Sequence, residues 1–261
     1  MTEAWPLPES LVAHLRAYAG EPAVPRRAAT VMLLRDDPLR VYLVRRAPTM
    51  AFAAGMHAFP GGVVDPRDAQ VPVQFAGRGP DWWAARLGVD AATAQAVVCA
   101  AVREVFEESG VLLAGPGEVR TAGEEWEAAR LALVSRELAF ADLLAARGLA
   151  LRADLLGPWA RWLTPEFEPR RYDTHFFAAA LPPGQAPRHV GGEADRVAWL
   201  PPADAGDLPM LPPTRLTLRQ LGAYPTVAEV LAASEARDAA TVVMPRLVID
   251  GTGARLVVDV S

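Results

Sequence analysis

Arg103, Glu104, Glu107 and Glu108 have the residue types and spacing needed to hold a cation. On a helix turning about 100° per residue, with Glu104 at 0°, Glu107 falls near 300° and Glu108 near 40°. The three carboxylates then share one arc of about 100°, and Arg103 stands one turn before Glu107 at about 260°. Val98, Cys99, Val102, Val105 and Phe106 take the opposite side. Such a helix buries its apolar face and directs the carboxylates outward. Like charges three and four residues apart repel by a few tenths of a kcal/mol per pair. A hard divalent cation with oxygen ligands offsets that repulsion directly. Taken alone, the stretch reads first as a solvated helix face.

The elements around it supply the context. Ala91 to Ser109 is the strongest helical segment, with Asp90 or Thr93 as candidate N-cap and Gly110 just past its end. Ala28 to Leu34 and Arg40 to Arg45 are β-branched apolar runs joined by Arg35-Asp36-Asp37-Pro38, a hairpin pattern. Ala47 to Asp68 reads as a Gly/Pro-rich loop with a short strand near Ala58-Phe59, and Ala69 to Asp90 as an irregular insertion. One or two helices follow over Glu124 to Arg147, then strands at Ala160 to Leu163, Tyr172 to Leu181 and Arg196 to Leu200. Pro213 to Ala223 and Thr226 to Ala236 are helical, and Asp250-Gly251-Thr252-Gly253 turns a terminal hairpin. The expected architecture is α/β (α+β): a mixed central sheet between helical layers, with helical insertions and a C-terminal extension.

Upstream of the glutamates, Phe59-Pro60-Gly61-Gly62 precedes Asp65 and Asp68. Paired glycines let the backbone approach a metal or phosphate where a Cβ would obstruct. At these positions the chain resembles the Nudix hydrolases. Their signature is a glycine, five residues, an acid, seven residues, then Arg-Glu-apolar-x-Glu-Glu-x-Gly-apolar. Gly62 and Asp68 match the first spacing, with Asp in place of the usual Glu, and Arg103 to Val111 match the second half at every position. The halves stand 35 positions apart where the family has 8, an insertion of 27 residues. A subset resembling the coenzyme A diphosphatases carries such an insertion. His57 to Asp65, Trp162-Leu163-Thr164-Pro165, Pro169 to Thr174 and Trp199-Leu200-Pro201-Pro202 look similar to that subset too.

The resemblance implies an α/β/α sandwich that hydrolyses a nucleoside diphosphate linked to a further group. The implied cofactor is Mg²⁺ or Mn²⁺, on Glu104, Glu107 and Glu108 with the Gly61 carbonyl. Arg103 would orient the glutamates, and Glu193 or Glu104 would act as general base. Arg170 and Arg171 are candidate phosphate forks or strand-edge salt bridges, and His57 and Gly62 would face the substrate. Trp82, Trp83 and Trp126 would cover an adenine or an acyl chain, or serve as core. The expected substrate is coenzyme A or an acyl-coenzyme A, cleaved to 3′,5′-ADP and a phosphopantetheine. The alternatives are an ADP-ribose or NADH pyrophosphatase, or a catalytically silent ligand sensor of the same fold.

Composition narrows the chemistry. The chain has 261 residues and no lysine or asparagine, so all 26 basic residues are arginine. A Walker-A loop, a Schiff-base enzyme and a lysine base are excluded, since each needs an ε-amine. Any phosphate must be held by arginine forks, backbone N–H groups or a metal. A net charge of −5 argues against a nucleic-acid partner. The single cysteine excludes an internal disulfide. The start lacks the pattern of a signal peptide, and the longest uncharged stretch, Ala47 to Val64, is broken by Pro48, Gly55, Pro60, Gly61 and Gly62. A cytoplasmic protein acting on a small nucleotide derivative away from any membrane is expected, with a homodimer left open. The organisation reads as an arm over 1–25 built around a helix from Glu9 to Ala19. A catalytic domain covers 26–225 with insertions near 69–90 and 115–158, and an extension covers 226–261 on the same domain.

Overall fold

A computed structural model describes residues 2–7, 20–50, 53–70, 72–117, 119–191, 194–250 and 253–259. The expected arm helix lies outside them. Within these residues thirteen strands run in chain order: β1 (Thr2–Pro6), β2 (Arg26–Arg35), β3 (Arg40–Arg46), β4 (His57–Ala58), β5 (Gly61–Val63), β6 (Phe75–Ala76), β7 (Leu151–Arg152), β8 (Leu156–Leu163), β9 (Tyr172–Ala180), β10 (Ala194–Leu200), β11 (Val242–Val243), β12 (Arg246–Asp250) and β13 (Gly253–Asp259). Among the described residues six α-helices accompany them: α1 (Pro80–Leu87), α2 (Ala91–Ser109), α3 (Glu124–Val134), α4 (Phe140–Arg147), α5 (Pro212–Leu221) and α6 (Val227–Ser234).

The main sheet has the order β10-β3-β2-β9-β8-β11 and is mixed. The β2–β9 and β8–β11 pairs are parallel and the others antiparallel. β2 and β3 pair only at Leu34–Val41 and Arg35–Arg40, beside their connecting turn. Beyond it they splay, and the 57–63 segment fills the gap: β4 pairs with β3, and β5 with β2. Phe59 anchors this segment, 3% exposed and edge-on to Phe176. Gly62 is thereby set opposite Ala29 in the sheet.

One sheet face packs on α2 with α1, α3 and α4, the other on α5 and α6, giving the expected three layers. Val258 of β13 belongs to the second core, and β1 zips onto β13 from Thr2–Asp259 to Pro6–Arg255. α2 has the bounds read from the sequence. Asp90 caps its first turn by accepting from Thr93 N–H at 2.9 Å, and Gly110 ends it at φ 72°. The region after residue 69 is more regular than expected, since it holds α1. Trp83 of that helix is fully buried and edge-on to Phe177, and Trp126 is 8% exposed, so both are core rather than a substrate cover. Among the described residues no single helix is long and apolar enough to cross a membrane.

Burial of a polar group gives a first testable consequence. His175 in β9 is fully buried, and neither ring nitrogen has a hydrogen-bond partner among the described residues. Burial, followed by the charge of Arg161, pushes its pKa down to about 4. A folded pKa below the unfolded value of 6.5 means that the unfolded chain takes up the proton first. Stability is therefore lost as pH falls from about 6.5 to 4, by up to about 3 kcal/mol. His175→Leu is expected to remove that component, so the stability gap to wild type should change between pH 7.5 and pH 4.5. Urea denaturation at the two pH values checks this, and an unchanged gap would refute it.

Candidate active site

α2 and the 57–63 segment meet at Gly62. A Cβ built on that glycine would lie 2.5 Å from Glu104 Oε1 and 2.7 Å from Oε2, so only a hydrogen leaves room for the carboxylate. Gly61 has a different constraint, since a Cβ there would strike Thr30 Oγ1 and the Ala29 carbonyl. Glu104 is consequently 9% exposed, not outward-facing as the helical wheel suggested. The wheel places residues on a face, whereas the glycine bend lies over this one. Burial pushes the Glu104 carboxyl up to about 7, against the lowering effect of Arg103.

Arg103 is the hub of the site. Its Nη1 donates to Glu104 Oε1 at 2.8 Å and Glu107 Oε1 at 3.1 Å. Its Nη2 donates to the Val63 carbonyl at 2.9 Å, and Nε and Nη2 reach Asp68 Oδ1 and Oδ2 at 3.2 Å. Asp68 is 1% exposed and also accepts from Asp65 N–H at 2.9 Å. The acid at the family spacing thus reaches the arginine despite the long insertion. It does so because Pro66–Ala69 forms a 3₁₀ turn, capped by Asp65 and packed on α2. Burial raises the carboxyls of Asp68 and Glu107 even beside Arg103. Neighbouring Asp65 is instead drawn down to about 2 by its fork to Arg67.

Glu108 lies on the other flank, where its charge and, more strongly, burial raise the phenol of Tyr42. Tyr42 donates from its hydroxyl to the Arg188 carbonyl at 3.3 Å. Among the described residues no three His, Cys, Asp or Glu side chains form a ready cation cage, because the Arg103 guanidinium lies among the carboxylates. The donor set still fits a cation. Asp68, Glu104 and Glu107 share one guanidinium, which leaves negative charge in excess. Only Oε1 of Glu104 and of Glu107 is engaged by Arg103, so Oε2 of each makes no hydrogen bond among the described residues.

The remaining sequence candidates fall elsewhere. Arg171 is a correction: it is 7% exposed and donates to the Thr164 and Ala23 carbonyls at 3.0 Å, tying the β8–β9 turn to the segment before β2. A buried guanidinium spent on two backbone carbonyls is no phosphate fork. Arg170 is exposed on the same turn. His57 pairs across from Arg45, and its Nδ1 lies 3.4 Å from the Pro209 carbonyl. Glu193 lies outside the described residues. Sequence reasoning passed over Arg130 and Arg188, which both pair with Glu127 against the C-terminal turn of α2. Their only sequence signal is the Glu-x-x-Arg spacing of an ordinary helix pair.

No family profile matches the chain. A crystal structure of a NUDIX hydrolase from Alicyclobacillus acidocaldarius matches it at 32% identity with a TM-score of 0.66, over 80% of this chain and 96% of that one. A nudix hydrolase of Caenorhabditis elegans is 29% identical over 183 residues, 70% of this chain. The match spans about half the length, 53%, of that curated relative. The glycine bend, the glutamate helix and this likeness define the class: a mixed α/β sandwich with a carboxylate-rich centre. The chain belongs to the Nudix hydrolase family.

Proposed function

We propose that this protein is a divalent-cation-dependent hydrolase that cleaves the diphosphate of a nucleoside diphosphate linked to a second group. The observation that carries the reading is the convergence of Glu104, Glu107 and Asp68 on Arg103 beneath the Gly61–Gly62 bend. Glu104, Glu107 and Glu108, with the Gly61 carbonyl, would hold Mg²⁺ or Mn²⁺. Such a cation supplies charge neutralisation at the phosphoryl oxygens and acidifies water. Arg103 fixes the carboxylates in place, and Asp68 fixes Arg103. Water attacks phosphorus, the bridging anhydride bond breaks, and the products are two phosphate monoesters. Glu104 or Glu193 accepts the proton released by the water. Positioning and electrostatics carry such a reaction, since the protein makes no covalent bond to the phosphoryl group.

For the substrate we favour coenzyme A or an acyl-coenzyme A, on the likeness of Trp162 to Pro165, Pro169 to Thr174 and Trp199 to Pro202 to the coenzyme A diphosphatases. The test is a hydrolysis panel with Mg²⁺ and Mn²⁺ over coenzyme A, acyl derivatives, NADH and ADP-ribose. Coenzyme A species should turn over fastest, releasing 3′,5′-ADP. Good turnover of ADP-ribose with none of coenzyme A would reverse the substrate assignment, and no metal-dependent turnover of any would overturn the activity.

A further inference from the structure

The second inserted region places a charged group where the metal-site helix ends. Arg130 of α3 is 4% exposed, and its Nη1 donates to the Glu107 carbonyl at 2.9 Å. That carbonyl is among the last four of α2, which have no acceptor role left within the helix. Arg130 Nε donates to both Glu127 oxygens at 3.1 and 3.2 Å, so its charge is balanced away from the metal-site carboxylates. Glu127 also accepts from Arg188 Nη2. Arg188 in turn donates its backbone N–H to the Ser109 carbonyl at 3.0 Å, and its guanidinium lies against Gly110, where a Cβ would meet Nη1 at 2.3 Å. Thr121 Oγ1 donates to the Gly110 carbonyl at 2.8 Å. Three carbonyls of this end are engaged: Glu107 by Arg130, Ser109 by the Arg188 N–H, and Gly110 by Thr121.

Glu107 is therefore held at both ends, its carboxylate by Arg103 and its carbonyl by Arg130. Glu108 follows it in the same turn. A slip or fraying of this turn would rotate both carboxylates by about 100° per residue. A helix C-terminus needs no buried guanidinium merely to satisfy a carbonyl, because a glycine cap or water serves. Burying one is costly unless it is paired.

We propose that Arg130 is a positioning residue: held by Glu127, which also accepts from Arg188, it fixes the last turn of α2 so that Glu107 and Glu108 present their oxygens to the cation. The inference rests on the metal reading above. Its experiment measures Mn²⁺ binding to the full chain without substrate, by electron paramagnetic resonance, alongside kcat and KM. Partners of metal ligands typically contribute 10- to 100-fold to affinity. Arg130→Met is expected to weaken Mn²⁺ about 10-fold and to lower kcat with KM within about twofold. Arg130→Lys should recover part of the affinity, since the ammonium still donates to the Glu107 carbonyl. Glu127→Gln, at a half-exposed position, should weaken Mn²⁺ by a few-fold and decides the matter if Arg130→Met does not fold. Unchanged Mn²⁺ affinity in the folded Arg130→Met and Glu127→Gln proteins, with only a lower melting temperature, would overturn the positioning role. Glu107→Gln separates the two claims. If it binds Mn²⁺ as wild type does, the metal reading itself fails; if it alone loses Mn²⁺, only the clamp is wrong.

Discussion

Arg103→Leu is expected to destabilise the metal-free protein by about 3–5 kcal/mol, the cost of removing one partner from a buried ionic cluster. The guanidinium serves Asp68, Glu104, Glu107 and the Val63 carbonyl at once. Without it, Asp68 at 1% exposure would keep the Asp65 N–H and the neighbouring Cys99 thiol but no cation in contact among the described residues. The loss should be largest at pH 8, where all three carboxylates are ionised. It should shrink toward pH 5, because burial raises their pKa values and protonation relieves the unbalanced charge. Arg103→Lys should recover less than half, since an ammonium cannot fork to two carboxylates while reaching a backbone carbonyl. Denaturant titrations at pH 8 and pH 5.5 measure both effects. A loss below about 1 kcal/mol at pH 8 would mean that the carboxylates find their counter-charge elsewhere.

Glu107→Gln and Glu104→Gln are expected to lower kcat/KM for metal-dependent hydrolysis by more than about 100-fold, which is about 2.7 kcal/mol of transition-state stabilisation. Their effect on metal-free stability should run the other way. A buried carboxyl whose folded pKa is about 7 stabilises the fold while protonated and destabilises it as pH rises from about 4.5 through 7. Glu104→Gln removes that ionisation, so it should match or exceed wild-type stability at pH 8 without metal. Saturating Mn²⁺ at 100 times its dissociation constant should raise wild-type stability by about 2.7 kcal/mol and leave the variants nearly unchanged. Stability and activity would then move in opposite directions at one position. If Glu104→Gln instead unfolds with no gain from metal in wild type, the residue is structural and the catalytic proposal loses its central ligand.

The helix from Ala91 to Ser109 was legible in the sequence because its signals are local. Alanine content, the Asp90 cap and the αL glycine at 110 all act within a few residues. The hairpin joining β2 and β3 and the two glycines were readable for the same reason. Helix α1 was not, since Pro80 to Leu87 is short and its tryptophans carry no clean periodicity. It is stabilised by the core that Trp83 joins rather than by its own propensity. Arg170-Arg171 shows the limit for single side chains. Composition left arginine as the side chain for a phosphate fork, but Arg171 is used to tie the β8–β9 turn to itself and to the segment before β2.

What residue order alone determined is the set of groups and their angular spacing on one rod, because a helix advances by a constant rotation whatever surrounds it. What the tertiary structure decided is which neighbours those groups meet. Asp68 reaches Arg103 across 35 positions, Glu104 is covered by the Gly62 backbone, and Arg130 comes from α3 to bind the end of the rod. Burial and charge pairing depend on strands and helices far apart in the chain, and no local pattern encodes them.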